Sequence, residues 1–285
     1  MSFYDLAGKV VLITGAQRGI GLATARAVHA RGASVALVDL DGEATARAAG
    51  EIGERTLGLA GDVTDAESLA RAVEDTAERF GGLDVAVANA GISPTARTMR
   101  VYEPDLFEQV IDVNLLGVYR TVQAALPHVI ERRGQVVLLS SIYAFTNGTF
   151  VTPYAASKAG VEQLGRALSA ELVSHGVTAT VAYFGFVSTD MVRLAIEEDP
   201  LGERFREIIP WFLHKQISPA EAGEVLARAI ERRAVRVTAP RRWAALSILR
   251  GVLNPLIDAR FASDRRLLDV VREADVAGRM TSKVG

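Results

Sequence analysis

The stretch Val10-Val11-Leu12-Ile13-Thr14-Gly15-Ala16-Gln17-Arg18-Gly19-Ile20-Gly21 decides the fold. A run of strand-forming residues enters a three-glycine turn, and the turn passes directly into a helical pattern over 20–31. Glycine lets the backbone turn tightly there and approach a ligand with no Cβ in the way. The helix that follows presents unpaired N–H groups and the positive end of its dipole, which suits a pyrophosphate. The plain alternative is a glycine-rich turn with no ligand; its position after the first strand of an alternating chain argues for the phosphate.

Outward from that stretch, short apolar runs alternate with longer amphipathic ones. Strands are predicted at 10–14, 34–38, 56–60, 84–88, 135–139, 178–183 and 235–238, with helices between them, among them 66–80, 115–131 and 155–174. The strands read as continuous apolar runs, as in a parallel sheet buried on both faces. The expected fold is therefore α/β, a doubly wound Rossmann sheet of about seven parallel strands with helices on both faces. No linker, repeat or charge block divides the 285 residues, so residues 1–285 are read as a single domain. It is expected to carry a substrate lid at about 190–215 and a C-terminal extension at about 240–285.

Composition narrows the chemistry. There are no cysteines, so thiol catalysis, disulfides and thiolate metal sites are excluded. His29, His128, His175 and His214 are far apart with no ligand spacing, and no metal is expected. A net charge of −2 gives no reason to expect nucleic acid. The first residues lack a basic segment followed by a long apolar one, and no apolar run matches a membrane span. A cytoplasmic protein acting on a small molecule is the expectation.

The second strand ends at Asp39-Leu40. A carboxylate there accepts hydrogen bonds from ribose hydroxyls and repels a 2′-phosphate, which favours NAD over NADP. Arg18 in the glycine turn pulls the other way, because a guanidinium pairs well with a phosphate. Asp39 is given more weight, since its charge sits at the ribose itself.

The spacing TGxxxGxG, carried by Thr14, Gly15, Gly19 and Gly21, resembles the short-chain dehydrogenase/reductase superfamily, in its single-domain alcohol/ketone branch. Further motifs match in order over the first 190 residues or so. Asp62-Val63 resembles the pair flanking the adenine, and Asn89-Ala90-Gly91 the motif that lines the cofactor. Asn114 resembles the family's catalytic asparagine. The resemblance implies a cofactor cradle that includes Gly15, Gln17, Arg18, Gly19, Ile20, Gly21, Asp39, Leu40, Asp62, Val63, Asn89, Ala90 and Gly91.

The fifth strand runs into Ser140-Ser141, and Tyr154 and Lys158 follow one helical turn apart. Thr152 and Pro153 suit an N-cap and a first helical position. Tyr154 and Lys158 then share a helix face. A free tyrosine titrates near ~10; an ammonium and an oxidised nicotinamide beside it should lower that value. Tyr154 is expected to exchange a proton with a carbonyl oxygen while hydride moves to or from the cofactor, with Ser141 polarising that oxygen. Lysine is scarce here (only Lys9, Lys158, Lys215 and Lys283), so Lys158 is not casual surface charge. By resemblance, Lys158 also binds the nicotinamide ribose and Asn114 holds a water that joins it to a proton relay. Val187 and Thr189 match the positions that hold the carboxamide. Phe184 stands where the family usually has proline, a change read as tuning the loop or the pocket.

The lid offers Met191, Leu194, Ile208, Ile209, Trp211, Phe212 and Leu213, joined by Tyr143, Phe145 and Phe186 from the loops above the sheet. An apolar pocket for a bulky or lipophilic alcohol or ketone is expected. The stretch 241–261 carries Trp243, Leu246, Ile248, Leu249, Val252, Leu253, Leu256 and Ile257 with Arg242, Arg250 and Arg260 interspersed, and Asn254-Pro255 should break or kink it. Packing on protein in a homo-oligomer (dimer or tetramer), peripheral contact with a membrane surface and a pocket cover all stay open for it. A cofactor-binding scaffold with little turnover, and an isomerase or dehydratase on the same fold, stay open as rival functions.

Overall fold

The computed structural model describes residues 3–194, 198–208, 211 and 214–281. Seven strands form one sheet: β1 (Val10–Thr14), β2 (Ser34–Asp39), β3 (Thr56–Ala60), β4 (Val85–Ala88), β5 (Gln135–Ser141), β6 (Thr178–Phe184) and β7 (Arg236–Ala239). Their order is β3-β2-β1-β4-β5-β6-β7, and every pairing is parallel. The order reverses between β1 and β4, and at such a switch point the strand ends open a crevice. The first half contributes the helices α1 (Gly19–His29), α2 (Gly42–Ile52), α3 (Ala66–Phe80), α4 (Pro104–Ile111) and α5 (Gly117–Glu131). The second half adds α6 (Thr152–Glu171), the one-turn α7 (Asp190–Val192), α8 (Pro200–Ile208), α9 (Pro219–Glu231), α10 (Arg242–Ser263) and α11 (Arg265–Thr281).

Alternation along each strand builds two cores. In β1, Val11 and Ile13 join the layer containing Val28, Leu226 and Ile230, while Val10 and Leu12 join the one containing Val118, Val129 and Val161. Both faces are covered, which is why the sequence shows unbroken apolar runs. Helices α1 and α9 approach so closely that a Cβ on Gly223 would stand 2.5 Å from the Ala23 carbonyl carbon.

Some boundaries move for local reasons. β4 begins one residue late, because the Asp84 carboxylate accepts from the Val10 N–H and pairs with Lys9 at 3.0 Å. β5 continues through Ser141, paired with Phe184 on β6, so the expected serine lies on the strand itself. α6 starts at Thr152 with Val151 in the cap position, one residue earlier than expected.

The C-terminal stretch departs most. Pro255 does not end α10, which runs unbroken for 22 residues. Proline clashes with the carbonyl four residues back, and here that carbonyl belongs to the exposed Gly251. Asn254 Nδ2 donates to the Phe145 carbonyl at 2.9 Å, and Arg250 pairs with the buried Glu162 of α6 at 2.7 Å. α11 is not merely appended: its Leu267 and Val270 pack with Phe205 of α8, Phe150 and Ala96.

Candidate active site

The three glycines of the opening turn do different work. Gly15 has φ +64°, and a Cβ there would stand 2.7 Å from Ala90 Cα. On Gly21 it would meet the Gly15 carbonyl oxygen at 2.3 Å. Both glycines therefore close the turn onto its own framework. Gly19, at φ +60°, faces open space, with Thr189 Cγ2 the nearest atom at 3.5 Å. No side chain caps α1 and its first turn holds no acid, so the helix N-terminus beside Gly19 is left for an anion. This cradle fits a dinucleotide pyrophosphate. The Asn89 amide braces it by donating to the Thr14 and Gly15 carbonyls, each at 2.8 Å, and Thr14 Oγ1 accepts from the Ala90 N–H.

Asp39 sits at the end of β2 as expected, with a task the sequence did not reveal. Its two carboxylate oxygens accept from the Gln17 N–H at 3.0 Å and the Leu40 N–H at 2.9 Å. The carboxylate thus ties the glycine turn to β2 and keeps lone pairs for ribose hydroxyls. Arg18 points elsewhere, pairing with Asp190 of α7 at 3.3 Å. Asp62 is held by Thr64, whose N–H and hydroxyl both donate to it. Val63 is buried against Gly117, the first residue of α5.

Three elements bring the four catalytic candidates together. Asn114 lies in a π-helical turn, Asp112–Leu116, between α4 and α5, a distortion frequent at functional sites. Its Oδ1 accepts from the Ile92 N–H at 2.7 Å, and its amide donates to the Ile92 carbonyl and to Ser157 Oγ. A Cβ on Gly91 would stand 3.2 Å from Asn114 Oδ1 and 3.6 Å from Lys158 Nζ, so the cofactor motif and the candidates converge. Lys158 is buried, donates to the Leu139 carbonyl at 2.9 Å and lies 5.6 Å from the Tyr154 ring centre. Tyr154 is partly buried, lines the same cavity as Ser141 and stands edge-on to Tyr143.

In the protein alone burial pushes Tyr154 up and the Ser141 hydroxyl only opposes that shift; the expected lowering belongs to the ammonium together with an oxidised nicotinamide. Burial likewise pushes Lys158 down to about 8. Both groups are drawn toward their neutral forms because each loses water.

A cavity opens above Tyr154 and Ser141. Tyr143, Phe186 and Met191 line it as anticipated, together with Val192, Phe150, Phe205, Ala96 and Arg206, which sequence reasoning missed. Phe205 and Arg206 were hidden because only the fold turns that side of α8 toward the cavity. Other expected walls are elsewhere. Leu194 and Trp211 are 51% and 74% exposed, and Ile208 packs with the α11 cluster. Phe145 is core, its ring tilted against Tyr183 with centres 5.6 Å apart. Ile209, Phe212 and Leu213 lie outside the described residues. The Phe184 ring is core too, while its carbonyl accepts from Ser141 Oγ at 3.3 Å; the change from proline therefore acts through packing rather than as a pocket wall. Val187 is buried and bridges to Ile217, and Thr189 faces Gly19 across the crevice. Among the described residues no group of His, Cys, Asp and Glu could hold a metal ion, and no helix is long and apolar enough to cross a membrane.

Comparison with known proteins agrees with this architecture. L-fucose dehydrogenase of Mus musculus is 39% identical over 170 residues, 60% of this chain and 62% of that protein, so under two thirds of its length is matched. The 3-oxoacyl-[acyl-carrier-protein] reductase FabG of Haemophilus influenzae is 32% identical over 68% of this chain and 81% of its own. Among solved structures, a 3-ketoacyl-(acyl-carrier-protein) reductase from Brucella melitensis complexed with NADH superposes with a TM-score of 0.74. It is 28% identical, with 82% of this chain and 97% of that one covered. The short chain dehydrogenase family model matches residues 9–200, about the span over which the glycine turn, Asn114, Ser141, Tyr154 and Lys158 were found. With that match, the chain belongs to the short-chain dehydrogenase family of nicotinamide-dependent oxidoreductases.

Proposed function

We propose that the protein interconverts a secondary alcohol and a ketone on a bulky, largely apolar substrate, with NAD(H) preferred to NADP(H). One observation carries the reading: Tyr154 and Ser141 line one cavity, with Lys158 packed behind the tyrosine ring. The residues that would hold the cofactor are the Gly19–Gly21 backbone, Asp39, Asp62, Val63, the Asn89-Ala90-Gly91 segment, Lys158, Val187 and Thr189. A bound nicotinamide supplies hydride for reduction and accepts it in oxidation. Ser141 Oγ donates to the substrate oxygen and orients it. Tyr154 Oη gives that oxygen its proton in reduction and takes it back in oxidation. Lys158 carries positive charge behind the ring, and Asn114 fixes the Ile92 and Ser157 groups beside it. The raised Tyr154 keeps the phenol protonated at neutral pH, as a proton donor to a carbonyl must be. Reduction is therefore expected at neutral pH and should fall as pH rises through the Tyr154 pKa, while oxidation should gain over the same range. A homo-oligomer is proposed as the working form, because α10 leaves an apolar ridge exposed.

The test is a panel of cyclic and bulky ketones and alcohols, followed at the nicotinamide absorbance across pH with both cofactors. Tyr154→Phe should lower turnover by about a thousandfold or more and remove the opposed pH limbs, with NADH binding kept. Substantial residual turnover would remove Tyr154 from the role. NADH binding without turnover on any panel member would favour a scaffold, and product formed with no net cofactor change would favour an isomerase.

A further inference from the structure

The cavity above Tyr154 has apolar walls and one charged lining side chain among the described residues, Arg206. It sits on α8, where positions 202, 205 and 206 share one face. Gly202 and Phe205 line the cavity with it, and Gly202 contributes no side chain, which leaves room beside the guanidinium. Nearby charges are already matched. Arg97 pairs with Asp199 at 3.6 Å, Arg204 with Glu273, and Arg18 and Arg193 with Asp190. Asp199 Oδ1 also accepts from the Leu201 and Gly202 N–H groups. Among the described residues Arg206 has no hydrogen-bond acceptor or carboxylate, and none of the acidic ones lines the cavity.

We propose that Arg206 is a specificity residue that pairs with a carboxylate on the substrate, at the end remote from the carbon that Tyr154 serves, so that the substrate is a keto or hydroxy acid with an apolar body. The proposal rests on the oxidoreductase reading of this same cavity. A guanidinium fork matches a planar carboxylate in two parallel hydrogen bonds, and apolar walls strengthen the attraction relative to water. His214, whose imidazole feels the Arg206 charge, is pushed down by burial and by that charge, so it stays neutral near pH 7. Among the described residues a single cation therefore lines the cavity, which balances a singly charged carboxylate better than a doubly charged phosphate.

The test uses terminal-carboxylate methyl ketones from 4-oxopentanoate to 10-oxoundecanoate, each beside its methyl ester. Native protein should favour the acid over the ester at one chain length by about tenfold or more in kcat/KM, expressed in KM. Arg206→Gln should bring that ratio close to one by raising KM for the acids, and Arg206→Lys should restore part of it. Thermal melts of both variants should match native protein, since Arg206 holds no partner among the described residues. A native ratio near one at every length, or a ratio that Arg206→Gln leaves unchanged, would overturn the proposal. If neither acids nor esters turn over, the oxidoreductase reading fails by itself. The same series titrated against bound NADH fluorescence then decides: Arg206-dependent, tighter binding of the acids upholds the assignment, and equal binding of acids and esters overturns it.

Discussion

Lys158 brings an ammonium into a site where the Leu139 carbonyl meets it with one hydrogen bond. Its pKa falls from 10.5 to about 8, so folding disfavours the charged form. Below pH 8 both folded and unfolded chains are protonated and the penalty is fully present. Between about 8 and 10.5 the folded chain sheds the proton first, and stability rises with pH. At about 1.4 kcal/mol per pH unit, that window amounts to about 3 kcal/mol. Lys158→Met should therefore raise the apoprotein's stability at pH 7 by about 1–3 kcal/mol after allowing for the orphaned carbonyl. Turnover should collapse, and the stability gain should be gone above pH 10.5. Urea titrations at pH 7 and 10.5 check this; a less stable variant at pH 7 would show that the hydrogen bond outweighs desolvation. Asp39 gives the second residue-scale prediction. Asp39→Ser removes the charge that repels a 2′-phosphate and loosens the turn held through Gln17. The NAD-to-NADP ratio of dissociation constants should fall about tenfold or more; an unchanged ratio would place ribose selection elsewhere. The carboxylate and the Tyr154/Lys158 pair were legible because charge and spacing announce them. The second task of Asp39 and the reason for Gly21 were not, because they depend on Gln17, Ala16 and Asn89 meeting in three dimensions.

Strands were readable because burial on both faces leaves a continuous apolar run, and β1, β3 and most of β6 stand where periodicity put them. Elements whose task is set by distant partners were not. The lid was read as a wall of large side chains, yet Leu194 and Trp211 face outward while Phe205, three residues beyond Gly202, faces in. Pro255 does not break α10, and the residue four positions earlier, whose carbonyl its ring meets, is an exposed glycine. α11 shows what such an element does. Leu267 and Val270 are both 4% exposed and lie against Phe205, which is edge-on to Phe150 at 5.4 Å. Leu267→Ala should therefore cost about 2–4 kcal/mol at that contact and slacken α8. Substrate KM should rise several-fold, with kcat and the NADH dissociation constant little changed. Loss of NADH binding to the same degree would mean that α11 supports the whole sheet rather than the cavity wall.

At the scale of the molecule, one side of α10 is docked and the other side is bare. Trp243 and Ser247 are buried, and Arg250 is drawn inward to Glu162. On the outer side Ile248, Leu249, Val252 and Leu256 are 75%, 52%, 69% and 65% exposed. They fall at intervals of one helical turn, so they form one ridge rather than scattered points. A ridge of this kind on a monomer is uncommon, and two copies packed about a twofold axis would cover it in both. Arg250 is committed to Glu162, and no acid or base stands on the ridge itself to repel an identical surface. The double change Ile248→Glu and Val252→Glu places like charges on both copies at the proposed contact. Light scattering on purified protein should give a multiple of the 30.5 kDa chain mass for the native form and a lower multiple for the variant. NADH binding should survive, since the ridge faces away from the packed side of α10. Native protein of single-chain mass would dismiss the association outright, and native protein that instead sediments with anionic vesicles in a ridge-dependent way would assign the surface to a membrane.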